Sequence, residues 1–258
     1  MDIDGILNLN KPKGVTSFFL VNKIRKILDV KKAGHCGTLD PMATGVLVML
    51  LGKATKLQQG FMEGRKVYKA RILFGVKTDT ADITGKVLEE KQVDPKAVSE
   101  KIAGALDKFK GDIRQVTPAY SAVKRNGRKM YELARKGITV TLPPRIITIY
   151  HIDVLGLDNN RLDIRVECSS GTYIRALAED IGAALGYPAT LEELVRERSG
   201  NFDISSAFDC PDDVKIEEIL KYIMPVSDAL LTPQSSPRAG EDARRAGEGG
   251  LSFKDDLK

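Results

Sequence analysis

The chain holds no tryptophan, two histidines and three cysteines in 258 residues, and no long apolar run. Cys36, Cys168 and Cys210 are odd in number and lack CxxC spacing, so neither a disulfide framework nor a cysteine zinc site is expected. No second His or Cys stands at ligand spacing from His35, and no metal site is expected there either. The longest uninterrupted apolar stretch, Val46–Leu51, is too short to cross a bilayer as a helix. Met1-Asp2-Ile3-Asp4 opens on acids, without the basic-then-apolar plan of a secretory signal. A cytoplasmic protein with no membrane partner is the expectation. Aromatic residues make up 6% of the chain, so its cores must rest on Leu, Ile and Val.

What is present fits a globular chain: 42% hydrophobic and 29% charged residues, with length for one large domain or one domain and a small appendage. The net charge of +5 is unevenly placed. Residues 112–145 carry eight Lys/Arg and two acids, which makes that segment +6 and leaves −1 for the rest. Such a concentration suits a polyanion-binding surface, and it equally suits a solvated helix face.

The pattern of apolar residues predicts mixed secondary structure. Ile3–Leu9 reads as a strand ending in the turn Asn10-Lys11-Pro12-Lys13-Gly14. Thr16 or Ser17 can cap a helix with Leu20, Val21, Ile24, Ile27 and Leu28 on one face. Val67–Gly75 alternates as a half-buried strand with Tyr68, Ala70, Ile72 and Phe74 on one side. Asp94-Pro95 reads as N-cap and first position of a helix that Gly111 stops. Arg161–Cys168 alternates again, and after Ser169-Ser170-Gly171-Thr172 a helix carries Ile174, Leu177, Ala178, Ile181 and Leu185. Thr190-Leu191-Glu192-Glu193 has capping-box spacing and predicts a further helix ending at Gly200. With no regular βαβ rhythm, the expected class is α/β of the α+β type, with a largely antiparallel sheet. Residues 232–258, rich in Pro, Ser, Gly and charge, cannot build a core of their own.

One string stands apart: Gly34-His35-Cys36-Gly37-Thr38-Leu39-Asp40-Pro41-Met42-Ala43-Thr44-Gly45, which feeds into Val46–Leu51. Glycines let a backbone approach a ligand closely, and Pro41 biases Asp40 toward an extended conformation. Taken alone, an Asp-Pro turn joining two elements competes with a functional carboxylate mounted at the edge of a core. The full string resembles the active-site motif of the bacterial tRNA pseudouridine-55 synthases, the TruB family. Further stretches are similar to motifs of the same family: LNLNKPKGVTS at Leu7–Ser17, KVYKA around Tyr68, TDTADITG around Asp82 and GTYIR at Gly171–Arg175. So is Thr117-Pro-Ala-Tyr120-Ser121-Ala-Val-Lys124-Arg125-Asn126-Gly127 through Tyr131. The family usually carries Asp where this chain has Asn10, a departure that touches no catalytic role.

The resemblance spans about Ile3 to Val226 and implies a pseudouridine-synthase fold: a central, largely antiparallel mixed sheet flanked by helices. It implies a catalytic domain over 1–231 with an RNA-binding insertion at about 112–145. The tail, 232–258, would be a remnant of or substitute for a C-terminal RNA-binding domain, whose opening Glu241–Arg245 resembles. The implied reaction turns uridine into pseudouridine in the tRNA T-loop after the base is flipped out. It breaks N1–C1′ and joins C5 to C1′ with no redox change and no hydrolysis, so no cofactor and no metal are required. A carboxylate, already ionised at pH 7 with an ordinary pKa of about 3.9, can serve at ribose C1′ or uracil C6.

By resemblance Asp40 is catalytic and Arg175 its partner, with Asp82 holding Arg175 from its far side and Tyr68 stacking on the flipped uracil. The residues alone leave Arg175 as a helix-surface arginine, Asp82 as part of a turn and Tyr68 as a core residue. His35 is expected to help hold the RNA open, Lys11 to contact phosphate and Tyr173 to touch RNA. Lys124, Arg125, Arg128 and Lys129 are expected to grip the T-arm, with Asn126-Gly127 as a tight turn between them. The protein is expected to act as a monomer on tRNA. A guide-dependent catalytic subunit sharing the Asp loop, and a non-catalytic RNA-binding or RNA-folding protein, are the competing functions.

Overall fold

The computed structural model describes residues 3–118, 120, 124–125, 128–130 and 142–231. Strand β1 (Gly5–Lys11) is followed by helix α1 (Ser17–Ile27), strands β2 (Ala33–His35) and β3 (Thr44–Leu51), and helix α2 (Gln58–Glu63). Next come β4 (Lys66–Phe74), the small hairpin β5 (Val76–Thr78) and β6 (Val87–Glu90), α3 (Pro95–Asp107) and β7 (Gly111–Gln115). The two-residue strands β8 (Lys124–Arg125) and β9 (Arg128–Lys129) pair only with each other. The long β10 (Arg145–Asp158), β11 (Arg161–Cys168), α4 (Ile174–Leu185) and β12 (Ala189–Ser199) complete the centre. Short pieces close the described chain: β13 (Phe202–Asp203), β14 (Phe208–Asp209), α5 (Ile216–Leu220), β15 (Ile223–Met224) and α6 (Val226–Leu231).

The main path of one mixed sheet runs β14-β1-β3-β12-β4-β11-β10-β7. Only β14–β1 and β12–β3 are parallel along it, so the largely antiparallel expectation holds. Its two halves are covered differently. β1 and β3 are buried on both faces: Leu7, Leu9, Leu47, Met49 and Leu51 pack under α1, while Ile6, Val46, Val48 and Leu50 pack behind. That double burial is why Val46–Leu51 reads as an apolar run without alternation. β4 and β11 are covered on one face by α3 and α4, and their outward positions carry charge. Arg71 grips Asp163 of the adjacent strand through two hydrogen bonds of 2.8 and 2.9 Å, and Arg165 reaches over β4 to grip Glu197 of β12.

Local chemistry explains the ends. Thr16 caps α1 by accepting from the Phe19 amide, and Asp94 caps α3 by accepting from Lys96 and Ala97. α3 stops at Asp107, and Gly111, expected as its stop, instead opens β7. β1 likewise runs on through Asn10 and Lys11, past its expected end.

The helix expected after Thr190 is absent. Residues 189–199 form β12, inserted between β3 and β4. Register shifts between Leu191 and Glu193 and between Arg196 and Arg198 interrupt its alternation. The buried positions are 189, 190, 191, 194, 196 and 199, and from 191 onward their spacing of three and two imitates a helical stripe. Asn126-Gly127, Tyr131 and the tail from 232 lie outside the described residues. No described helix is long and apolar enough to cross a membrane.

Candidate active site

Asp40 sits in the loop between β2 and β3, and several neutral contacts hold that loop. The buried Ser17 hydroxyl, at the start of α1, donates to the Leu39 carbonyl at 3.0 Å and accepts from the Leu39 amide at 2.9 Å. The Gly14 amide donates to the Pro41 carbonyl at 2.7 Å, and the Ala43 amide closes a turn onto the Asp40 carbonyl at 3.1 Å. Leu39, Met42 and Ala43 anchor the loop in the core that α3 and α4 share with the sheet. Asp40 itself keeps 34% of its side chain exposed.

Arg175 comes from the first turn of α4, whose Tyr173 N-cap is fixed by Gln115. That side chain accepts from the Tyr173 amide at 2.8 Å and donates to its carbonyl at 3.0 Å. The Arg175 guanidinium is buried, with 3% of the residue exposed, and every arm has a partner. Nε donates to Asp40 Oδ2 at 2.8 Å, one terminal nitrogen to the Thr80 carbonyl at 2.7 Å and the other to the Tyr120 carbonyl at 2.6 Å. Asp82 Oδ2 stands 3.9 Å from the same Nε, an ion pair without a hydrogen bond. Asp82 is itself held through Oδ1, which accepts from the Thr80 and Thr84 hydroxyls and from the Thr84 amide. A buried cation with two carboxylates and two carbonyls is a compensated one, and removing either partner of such a pair costs about 3–5 kcal/mol.

Tyr68 lies on the same buried face of β4, 8% exposed and packed with Leu39, Met42 and Ala43. Burial raises its phenol above the ordinary range, against the pull of nearby Arg196. Arg196, which the helical reading of residues 190–200 concealed, is 1% exposed. Its Nε donates to the Val46 carbonyl at 2.7 Å and a terminal nitrogen to the Gly37 carbonyl at 3.1 Å. The sequence signal was an Arg two residues beyond Leu194, on what is the inward face of a strand. Gly45, with φ +97°, serves this approach: a Cβ there would overlap the Arg196 backbone. The close approach that glycines permit in this loop is therefore between two strands.

Lys11 corrects an expectation. It is fully buried, and its ammonium donates to the Pro12, Val15 and Pro41 carbonyls at 2.9, 2.8 and 3.4 Å. It braces the loop and presents no charge to a phosphate. Burial pushes its pKa down to about 8, with Asp40 opposing and Arg196 reinforcing the shift. Lys66 is pushed down to about 8 by burial and then by Arg196, and its ammonium has no hydrogen-bond partner among the described residues. His35, half-buried in β2, is held below the usual imidazole range by burial and Arg196. Tyr173 is half-buried, its ring under the Arg145 guanidinium at 4.6 Å. The backbones of Lys124, Arg125, Arg128 and Lys129 form the β8–β9 ladder, apart from the main sheet. Two cavities of about 480 and 260 Å³ lie away from Asp40, beside Phe74 and Asn160 and beside Glu179 and Tyr187.

The arrangement is a solvent-accessible carboxylate held by a buried, fully bonded guanidinium beside a buried phenol. It can deliver a fixed nucleophile or base to a bound group, and no described cluster of three or more His, Cys, Asp or Glu supplies a metal site.

Comparisons with known proteins agree with one family. A relative described as tRNA pseudouridine synthase B, from Endomicrobium trichonymphae, is 48% identical over 225 residues, 87% of this chain and 97% of its own. Another of that description, from Clostridium tetani, is 45% identical over 88% of this chain and 78% of its own. A chain in the crystal structure of a Cbf5–Nop10–Gar1 complex matches with a TM-score of 0.66 and 33% identity, over 87% of this chain and 61% of that one. The model of the TruB family pseudouridylate synthase N-terminal domain matches residues 25–174, which contain the Asp40 loop, Tyr68 and Asp82 and end one residue short of Arg175. The chain belongs to the TruB family of pseudouridylate synthases.

Proposed function

We propose that this chain is a stand-alone tRNA pseudouridine synthase that isomerises the uridine at position 55 in the T-loop. The observation that carries the reading is the pair of a partly exposed Asp40 and a buried Arg175 at 2.8 Å. The target nucleotide leaves its stack and enters beside Asp40, with Tyr68 against the base. Asp40 adds to the sugar–base unit, N1–C1′ breaks, the uracil turns, C5 joins C1′, the bond to Asp40 breaks to return the carboxylate, and the C5 proton is lost as N1 gains one. Arg175 keeps the carboxylate aimed throughout, and Asp82 balances the guanidinium when Asp40 is engaged. The electrostatic part of the work is preorganised, since the guanidinium's partners are already in place.

RNA is gripped by Lys124, Arg125, Arg128 and Lys129 on the T-arm, with His35 and Tyr173 nearer the flipped base. The catalytic unit is 1–231, acting as a monomer in the cytoplasm. A guide-dependent reading draws on the Cbf5 likeness, but identity reaches 48% with a relative named for tRNA and nearly matched in length.

The test is incubation with an unmodified tRNA transcript and no guide RNA, followed by mapping of pseudouridine. A single new pseudouridine in the T-loop is expected. Modification only when a guide RNA is added would favour the other reading, and none under either condition would refute both.

A further inference from the structure

Arg196 has no carboxylate partner among the described residues, although its side chain is 1% exposed. A charge buried on neutral acceptors alone is costly, and apolar replacement of buried ions is often neutral or stabilising. Stability alone is a poor reason for an arginine at this point in the sheet. Its contacts suggest another. On one side Arg196 is the direct register partner of Tyr68 in the β12–β4 pairing; on the other it pairs with Gly45 of β3. Its guanidinium reaches the Gly37 carbonyl, three residues before Asp40, and the Val46 carbonyl, six residues after it. One planar fork therefore closes both ends of the Asp40 loop.

Its positive charge also acts on Tyr68, opposing the rise that burial gives the phenol. Arg196 therefore ties the Asp40 loop to the strand position that carries Tyr68.

We propose that Arg196 is a positioning residue for pseudouridine formation, locking the two ends of the Asp40 loop against the strand that carries Tyr68. The proposal rests on the tRNA-modifying reading above. Lysine keeps the charge but cannot span both carbonyls with a planar fork. Glutamine keeps a planar donor and removes the charge.

The experiment uses the full chain in three forms: wild type, Arg196→Lys and Arg196→Gln. Single-turnover rates on saturating tRNA, tRNA dissociation constants and amide hydrogen exchange of residues 37–46 are measured for each. Arg196→Lys should lower the rate at least about 30-fold with tRNA affinity within about threefold, and the loop amides should exchange at least about tenfold faster than in the wild type. A rate near wild type, or unchanged exchange in both variants, would overturn the proposal. So would failure of both variants to fold, since the residue would then serve the fold alone. If the wild type forms no pseudouridine while the variants' loop amides exchange faster, the catalytic reading has failed and the locking of the loop stands.

Discussion

Arg175 and Arg196 are both buried, both bonded through several arms and both tied to the Asp40 loop, yet they are compensated in opposite ways. Arg175 faces two carboxylates, Asp40 and Asp82, and meets the loop at the Asp40 side chain. Arg196 faces carbonyls and a phenol, and meets the loop at its backbone ends. The first arrangement aims a charge; the second holds a frame. Removing the first should therefore change chemistry through Asp40 directly, and removing the second should change it through geometry.

The largest effect expected from breaking this comparison is at Arg175. Arg175→Lys keeps a positive charge but cannot serve Asp40, Thr80 and Tyr120 together. The single-turnover rate on tRNA should fall at least about 100-fold, with binding within about threefold, so the loss lies in the chemical step. A near-normal rate would make Arg175 a structural residue and erase its difference from Arg196.

A smaller effect is expected from cations outside this buried group. Replacing Lys124, Arg125, Arg128 and Lys129 with Ala should weaken tRNA binding about tenfold or more. The slope of log affinity against log salt should become shallower by about 0.7–0.9 for every phosphate that the variant no longer neutralises. The rate at saturating enzyme should change little, because backbone contacts position the RNA and leave the reacting uridine untouched. Coincident salt slopes in filter binding would show that these four side chains do not grip RNA.

The smallest effect concerns Lys66, a buried cation with neither carboxylate nor hydrogen-bond partner among the described residues. Its folded pKa of about 8 lies below the ordinary 10.5, so burial of the charge penalises the fold at and below pH 8. Between pH 8 and 10.5 the folded chain has released this proton and the unfolded chain has not, so stability should rise with pH there. Lys11, pushed down to about 8 as well, acts in the same direction. Lys66→Met should raise stability at pH 7 by on the order of 2 kcal/mol and flatten part of that rise. Denaturant titrations at pH 7 and 9.5 measure both. A destabilised variant with an unchanged pH slope would mean that Lys66 is solvated in the folded state.

The same contrast separates what was legible in the sequence from what was not. Asp40 and Arg175 were singled out through the motif resemblance, since the residues alone leave an Asp-Pro turn and a helix-surface arginine. Their 2.8 Å contact joins positions 135 residues apart, which only the motif resemblance anticipated. β1, β3, β4 and β11 were legible from unbroken apolar or alternating runs. β12 was not, because two bulges turned its period of two into a helical imitation and hid Arg196 with it. β10 went unread for a similar reason, with register shifts at Ile149/His151 and Val154/Gly156. Lys11 was misread because a lysine in a Pro/Gly turn carries no local sign of burial; three carbonyls from two separate segments make its site.

The central claim is that Asp40 performs the isomerisation, and release of the C5 hydrogen reads it most directly. Unmodified tRNA labelled with tritium at uridine C5 is mixed with excess wild-type enzyme or with Asp40→Asn. One tritium per T-loop should be released with the wild type. None above background should be released with the variant, although it binds tRNA within a few-fold of wild type. Comparable release by Asp40→Asn would show that Asp40 does not perform the isomerisation.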